Sequence, residues 1–193
     1  MIKSTSMLLD ELSVYQDPFG KISRLCEEGN LHQLTRGIYE TNDTTPGYAL
    51  APAIYGPSYL SFDYALSRHG LIPEAVHEYT SATCSKGKKK QYHNDFGDYS
   101  YRDVPVAAFP FETKLITENG YTYSLATPEK ALCDKLYTLS PVKNLTELRQ
   151  LLISNLRIDE NELKNLNAGT IEELSELYKC NNIRFLSKFL RRL

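Results

Sequence analysis

Residues 58–70 read SYLSFDYALSRHG and bring Asp63, His69 and several serines into one short stretch. A histidine beside a carboxylate and hydroxyls is the raw material of acid–base or nucleophilic catalysis, provided that the groups reach one another. The local pattern gives them other work. Ser61 reads as a helix N-cap, Gly70 as the left-handed residue that ends the helix, and Phe62, Ala65 and Leu66 recur at helical spacing as its buried stripe. Asp63 near the start and Arg68 and His69 near the end complement the helix dipole. The stretch therefore predicts a packed helix over residues 62–69, not an acid–base pair.

A second candidate lies at Glu112 and Lys114. An acid and a lysine two apart on a strand share a face and match the E-x-K half of a metal-dependent nuclease, with Asp98 or Asp103 as the further metal ligand. Charge alternation on a solvated strand explains the same residues. The DFG at 95–97 imitates a kinase metal site, but the chain has neither a glycine-rich phosphate loop nor an HRD loop. There is no G-x-S-x-G, Walker or H-E-x-x-H motif, and Cys26, Cys84, Cys133 and Cys180 lie far apart with no C-x-x-C pair. No metal or cofactor is expected, no catalytic residue is assigned, and the cysteines read as reduced, mostly buried thiols.

Surface charge offers binding chemistry instead. The formal net charge of −2 excludes a strongly cationic surface, so nucleic-acid binding has to rest on local patches. One is KGKKK, with Lys86, Lys88, Lys89 and Lys90; another is the tail RFLSKFLRRL, ending in Arg191 and Arg192. Near the front, Lys21, Arg24, His32, Gln33, Thr35 and Arg36 are types that contact phosphates and base edges. There, over residues 1–41, four cations stand against six carboxylates. That acidic balance works against phosphate neutralisation.

The elements that have to position these groups follow from periodicity. The 193 residues, 41% of them hydrophobic, suffice for one substantial core or for a small module joined to a larger one. STSMLLDELSVY places Met7, Leu8, Leu12 and Tyr15 at helical spacing, and DPFGKISRLCEEGN gives a second helix with Asp17 as N-cap, Pro18 at its first position and Phe19, Ile22, Leu25 and Cys26 as its apolar face. LHQLTRGIYET then reads as a hairpin, so residues 1–41 have the helix, helix, hairpin order of a winged helix-turn-helix. The turn-rich NDTTPG follows, a linker across which few contacts are expected.

Over residues 48–193 the pattern is that of a larger domain. It opens with short helices, continues with strands in VHEYTSATCS, KKQYHNDFGDYSYRDVP and FETKLITENGYTYSLA, the last turning at Asn119-Gly120, and then TPEKALCDKLY forms a helix capped by Thr127. Helices fill the remainder. An antiparallel sheet followed by helices makes an α+β fold. No stretch approaches the roughly 18 apolar residues of a membrane span, and the N-terminus lacks the long apolar run of a signal peptide, so a cytoplasmic protein is expected.

Together these segments resemble the AbiEi antitoxin family of abortive-infection toxin–antitoxin systems. LCEEGNLHQLTRGIYE looks like its winged-helix end, GPSYLSFDYALSRHGLIPE is similar to its most recognisable block, and TSATCSKGKK and LATPEKALCDKLY occur in the family's order and spacing. The resemblance, over about residues 5–140, implies a winged helix that represses its own operon through operator DNA and a second domain that counteracts a cognate nucleotidyltransferase-like toxin, without catalysis. The front end is abbreviated, since two helices precede the wing where a full module has three. A stand-alone winged-helix regulator and the nuclease remain as alternatives.

Overall fold

The computed structural model describes residues 1–193, and it holds helices and strands in an α+β arrangement. The chain starts with a three-residue strand, β1 (Ile2–Ser4), then α1 (Thr5–Glu11), α2 (Pro18–Glu27), β2 (His32–Thr35) and β3 (Ile38–Glu40). β1 pairs antiparallel with β3, giving the order β1-β3-β2. β1 has no local signature, because three residues are too few for a period and the strand exists only through partners more than thirty positions away. α2 is built as its sequence dictates: Asp17 Oδ1 accepts from Gly20 N at 2.9 Å and Pro18 supplies a first turn that needs no donor. A small cluster of Leu8, Ile22 and Leu31 holds α1 and α2 together. Phe19, expected on the buried face, is 62% exposed, as are Met7, Val14 and Tyr15 to lesser or greater degrees. No third helix lies over that flank.

The six-stranded sheet of the larger part has the order β6-β7-β5-β4-β9-β8, from β4 (Tyr59–Leu60), β5 (Tyr79–Thr83), β6 (Lys90–Asn94), β7 (Gly97–Asp103), β8 (Thr113–Glu118) and β9 (Tyr121–Ala126). It is mixed, not antiparallel as expected: β5 runs parallel to β7 and β4 parallel to β9. Two placements cause this: β5 lies against β7 instead of against β6, and the short β4 lies against β9. Only two residues long, β4 enters between β5 and β9 and carries no alternation that a sequence pattern could reveal. The Asn119-Gly120 turn has φ of 52° and 80°, the backbone that a two-residue hairpin requires and that Asn and Gly tolerate.

Around the sheet lie α3 (Gly47–Ile54), α4 (Phe62–Arg68), α5 (Pro128–Tyr137) and a C-terminal layer of α6 (Leu145–Gln150), α7 (Glu160–Lys164), α8 (Ala168–Tyr178) and α9 (Asn181–Leu190). A π-helical turn, Leu151–Asn155, continues α6. Tyr99 and Tyr101, two apart on β7 and so on one face, donate to the carbonyls of Gly47 and Ala51 at 3.0 and 2.8 Å, which fixes α3 over the sheet. Gly47 sits so close to the sheet that a Cβ would fall 2.4 Å from the Tyr79 ring. Thr127 caps α5 as expected, by accepting from Lys130 N at 3.3 Å. Asn182, buried in α9, accepts from Val142 N at 2.8 Å and donates to Leu136 O at 2.9 Å, tying the turn after α5 to the C-terminal layer.

The linker does not isolate the two parts. Leu34, from β2, belongs to the 36-residue core of the larger part, and Ile2 and Ile38 pack against that core. Asn94 Nδ2 donates to Leu34 O at 3.1 Å, and Glu40, fully buried, accepts from the amides of Thr41 and Asn42 and from the amino group of Met1. Contacts thus cross where few were expected, because a three-stranded sheet with a single small cluster on one side leaves its other apolar side chains to be buried elsewhere. No helix is long and apolar enough to cross a membrane.

Candidate functional site

The cluster that most resembles reactive chemistry is one the sequence did not expose. Lys130 and Asp134, four apart on α5, are both fully buried, with Nζ and Oδ1 3.8 Å apart. Asp134 accepts from Ser61 Oγ at 2.5 Å, from Tyr59 OH at 3.0 Å and from Tyr178 OH, while Lys130 Nζ donates to Tyr178 OH at 2.7 Å and to Ala108 O at 2.5 Å. Lys130 also lies over the rings of Tyr59 and Tyr178, at 5.5 and 4.8 Å. Burial raises the Asp134 carboxyl and lowers the Lys130 ammonium, each partly offset by the other's charge. Burial likewise pushes the Tyr59 and Tyr178 hydroxyls and the neighbouring Cys133 thiol well up. Lys130, Cys133 and Asp134 are fully buried, and Tyr59 and Tyr178 nearly so. Their arrangement joins β4, α5, α8 and the 104–111 loop, and it can hold those elements in register.

The same network explains the opening helix. Ser61 does not cap α4, because its hydroxyl is turned to Asp134. Thr80, on β5, takes the role by accepting from Tyr64 N at 3.0 Å. The expected stripe of Phe62, Ala65 and Leu66 is buried. Asp63 pairs with Lys135 at 2.7 Å, and His69 Nε2 bonds Ala126 O at 2.8 Å, so the two groups are committed to different partners. An acid–base pair is not assembled there.

The nuclease residues are dispersed. Asp98 and Asp103 are on β7 and Lys114 on β8, with β5, β4 and β9 between them. At about 4.8 Å per strand that is roughly 19 Å, several times the span of one ion's ligands. Asp98 bonds His93 at 2.7 Å, and Glu112 precedes β8, its backbone oxygen accepting from Thr127 N at 2.9 Å. Asp103 is a loop anchor: it accepts from the Thr83 hydroxyl and from the amides of Lys86 and Gly87, each at 2.7 Å. Burial raises its carboxyl, but those three hydrogen bonds outweigh the effect and hold it below its ordinary value.

Asp103 thereby shapes the basic loop. Lys86 is not a free cation, since its Nζ donates to Gly56 O at 3.0 Å and lies 5.0 Å from the Tyr55 ring centre. Lys88, Lys89 and Lys90 are exposed, with Lys90 opening β6. Arg102, which no sequence pattern singles out, joins Lys88 and Lys89 around a recess of about 330 Å³ that Asp103 and Thr138 also line. Its place beside Lys90's partner Tyr101 on β7 comes from strand pairing and not from spacing. In the C-terminal tail Arg191 pairs with Glu172, while Arg192 is exposed.

In the N-terminal module Arg24 on α2 and Arg36 at the β2–β3 turn are exposed, Lys21 is half-buried 5.7 Å from the Tyr15 ring centre, and none of the three is in an ion pair. Gln33 is exposed and Thr35 half-buried on β2. His32 differs from the expectation of a nucleic-acid contact. Its side chain is 14% exposed, with Nδ1 2.8 Å from Asp95 and its ring edge-on to Phe96 at 5.4 Å, so it faces the β6–β7 turn. No family model matches the chain, and no curated protein matches it.

Proposed function

We propose that the chain is an antitoxin of the AbiEi kind, which counteracts a nucleotidyltransferase-like toxin through the surface of its larger domain and represses its own operon through its N-terminal module. The observation that carries this reading is the sealing of the Lys130–Asp134–Tyr178 network. The blocks SYLSFDYALSRHG and TPEKALCDKLY, on which the resemblance is densest, meet at Asp134 through Tyr59 and Ser61 and are buried there. Residues of catalytic type are thus used as scaffold, while exposed cations stand at Lys88, Lys89 and Lys90, with the half-buried Arg102 beside them. In this reading the chain acts by contact and not by turnover.

The module supports the regulatory half. Strand, helix, helix, hairpin with the order β1-β3-β2 is compatible with a winged helix from its first strand onward, and this supports the reading. In this reading α2 is the helix for the major groove and the turn at Arg36 is the tip of the wing. Arg24 and Arg36 supply phosphate contacts with Lys21 beside them, and His32 takes no part because it is held by Asp95.

The test is co-expression with a nucleotidyltransferase-like toxin encoded beside the chain. Restored growth supports the antitoxin. Promoter binding with no effect on toxicity would instead favour a stand-alone regulator, and no rescue together with no promoter binding would overturn both halves.

A further inference from the structure

The six-stranded sheet has two edges of unlike character. At one, β6 is introduced by the run Lys88 to Lys90 and is approached by β2 through Asn94 and Leu34. At the other, β8 pairs only with β9, and Leu115 in its middle is 73% exposed. Because Thr127 N donates to Glu112 O, the pairs alternate so that residues 114, 116 and 118 turn their backbone groups to β9. Thr113, Leu115 and Thr117 turn theirs outward, unpaired. Such an edge is a template for another strand.

The strand is self-complementary in one register. Two antiparallel copies can bond only if outward residues face outward residues, which allows two-fold centres at Lys114, where the lysine would face its own copy, and at Leu115, Ile116 or Thr117. Centred on Leu115, Glu118 faces Glu112 of the second copy; centred on Thr117, Ile116 faces Glu118. Centred on Ile116, Leu115 and Thr117 exchange N–H···O bonds, Ile116 faces Ile116, and Lys114 faces Glu118 twice over. Both tyrosine hydroxyls on Glu118, those of Tyr48 and Tyr123, bond its Oε1, so Oε2 is available to the lysine. A lone edge lysine ordinarily prevents strand pairing; here the only good register provides its counter-charge.

We propose that two copies of the chain associate through β8, antiparallel and centred on Ile116, to make one continuous sheet. Sedimentation of the full chain over a concentration series should show a monomer–dimer equilibrium. Lys114→Glu, at an exposed position, turns two attractive cross-strand pairs into repulsive ones and should raise the dissociation constant by about tenfold or more. Ile116→Cys places two thiols at a non-hydrogen-bonded pair, whose Cα separation of about 4.5 Å lies within the disulfide range. Oxidation should give a covalent dimer for Ile116→Cys, above the background of the wild-type chain, and none for Lys114→Cys. A monomer at every concentration, or a dimer unaffected by Lys114→Glu and cross-linked no better by Ile116→Cys than by Lys114→Cys, would overturn the proposal.

Discussion

Asp134→Asn should destabilise the protein more than any surface change, and the structure sets the scale. The side chain is fully buried and accepts from Ser61, Tyr59 and Tyr178, with Lys130 as its counter-charge. An amide keeps one acceptor oxygen but turns an NH₂ toward either the Ser61–Tyr59 side or the Tyr178 side, so at least one hydroxyl loses its acceptor. The Lys130 ammonium is left buried without an opposite charge. Breaking such a pair from one side costs about 3–5 kcal/mol, a large part of the roughly 5–15 kcal/mol by which domains are stable. For this chain length the melting temperature should fall by roughly 6–20 °C. Lys130→Met in the Asp134→Asn background removes the stranded charge, so the double variant should be well short of the sum of the two single losses. Urea unfolding of the four proteins measures the cycle. Additivity to within about 0.5 kcal/mol would show that the two groups do not act as a pair and would refute the reasoning.

Asp103→Asn should loosen the basic loop at neutral pH and cost about 1–2 kcal/mol through weakened hydrogen bonds. The folded carboxyl lies below its ordinary 3.8, so the charge contributes fully above the unfolded value and is lost as pH falls through the folded one. The wild-type advantage in urea unfolding should therefore shrink below about pH 4, and an advantage that grew on acidification would contradict the assignment. A fragment beginning at Tyr48 loses Leu34, buried to 2% exposure, and the Gly47 carbonyl that Tyr99 uses. It should be about 2–5 kcal/mol less stable than the full chain by thermal unfolding, a difference that independent parts would not show. For promoter DNA, Lys21→Glu, Arg24→Glu, Arg36→Glu should abolish salt-sensitive binding measured by anisotropy, while His32→Ala should leave its salt slope unchanged.

Local signals gave the elements whose determinants are local. Asp17-Pro18, Thr127-Pro128 and Asn119-Gly120 carry their own capping or turn chemistry, and α2, α5 and the β8–β9 hairpin begin or turn where those residues stand. β1 and β4 were hidden because strands of three and two residues are defined by distant partners, and the parallel β5–β7 pair was hidden because nothing local says that β6 lies on the outer side of β7. Lys130 and Asp134 carry no residue-level sign that they are buried. The available sign was their four-residue spacing on a helix with apolar residues on both sides, but nothing local says that Tyr59, Ser61 and Tyr178 converge there. Ser61 carries the same lesson: a good N-cap residue was drawn away by a stronger acceptor across the fold.

Growth of cells carrying an inducible nucleotidyltransferase-like toxin, with and without this chain, tests the central reading most directly. The wild-type chain should restore colony formation, and Lys88→Glu, Lys89→Glu, Arg102→Glu should lower that rescue while leaving the melting temperature unchanged. Colony counts that stay at the toxin-alone level with the folded wild-type chain present would contradict it.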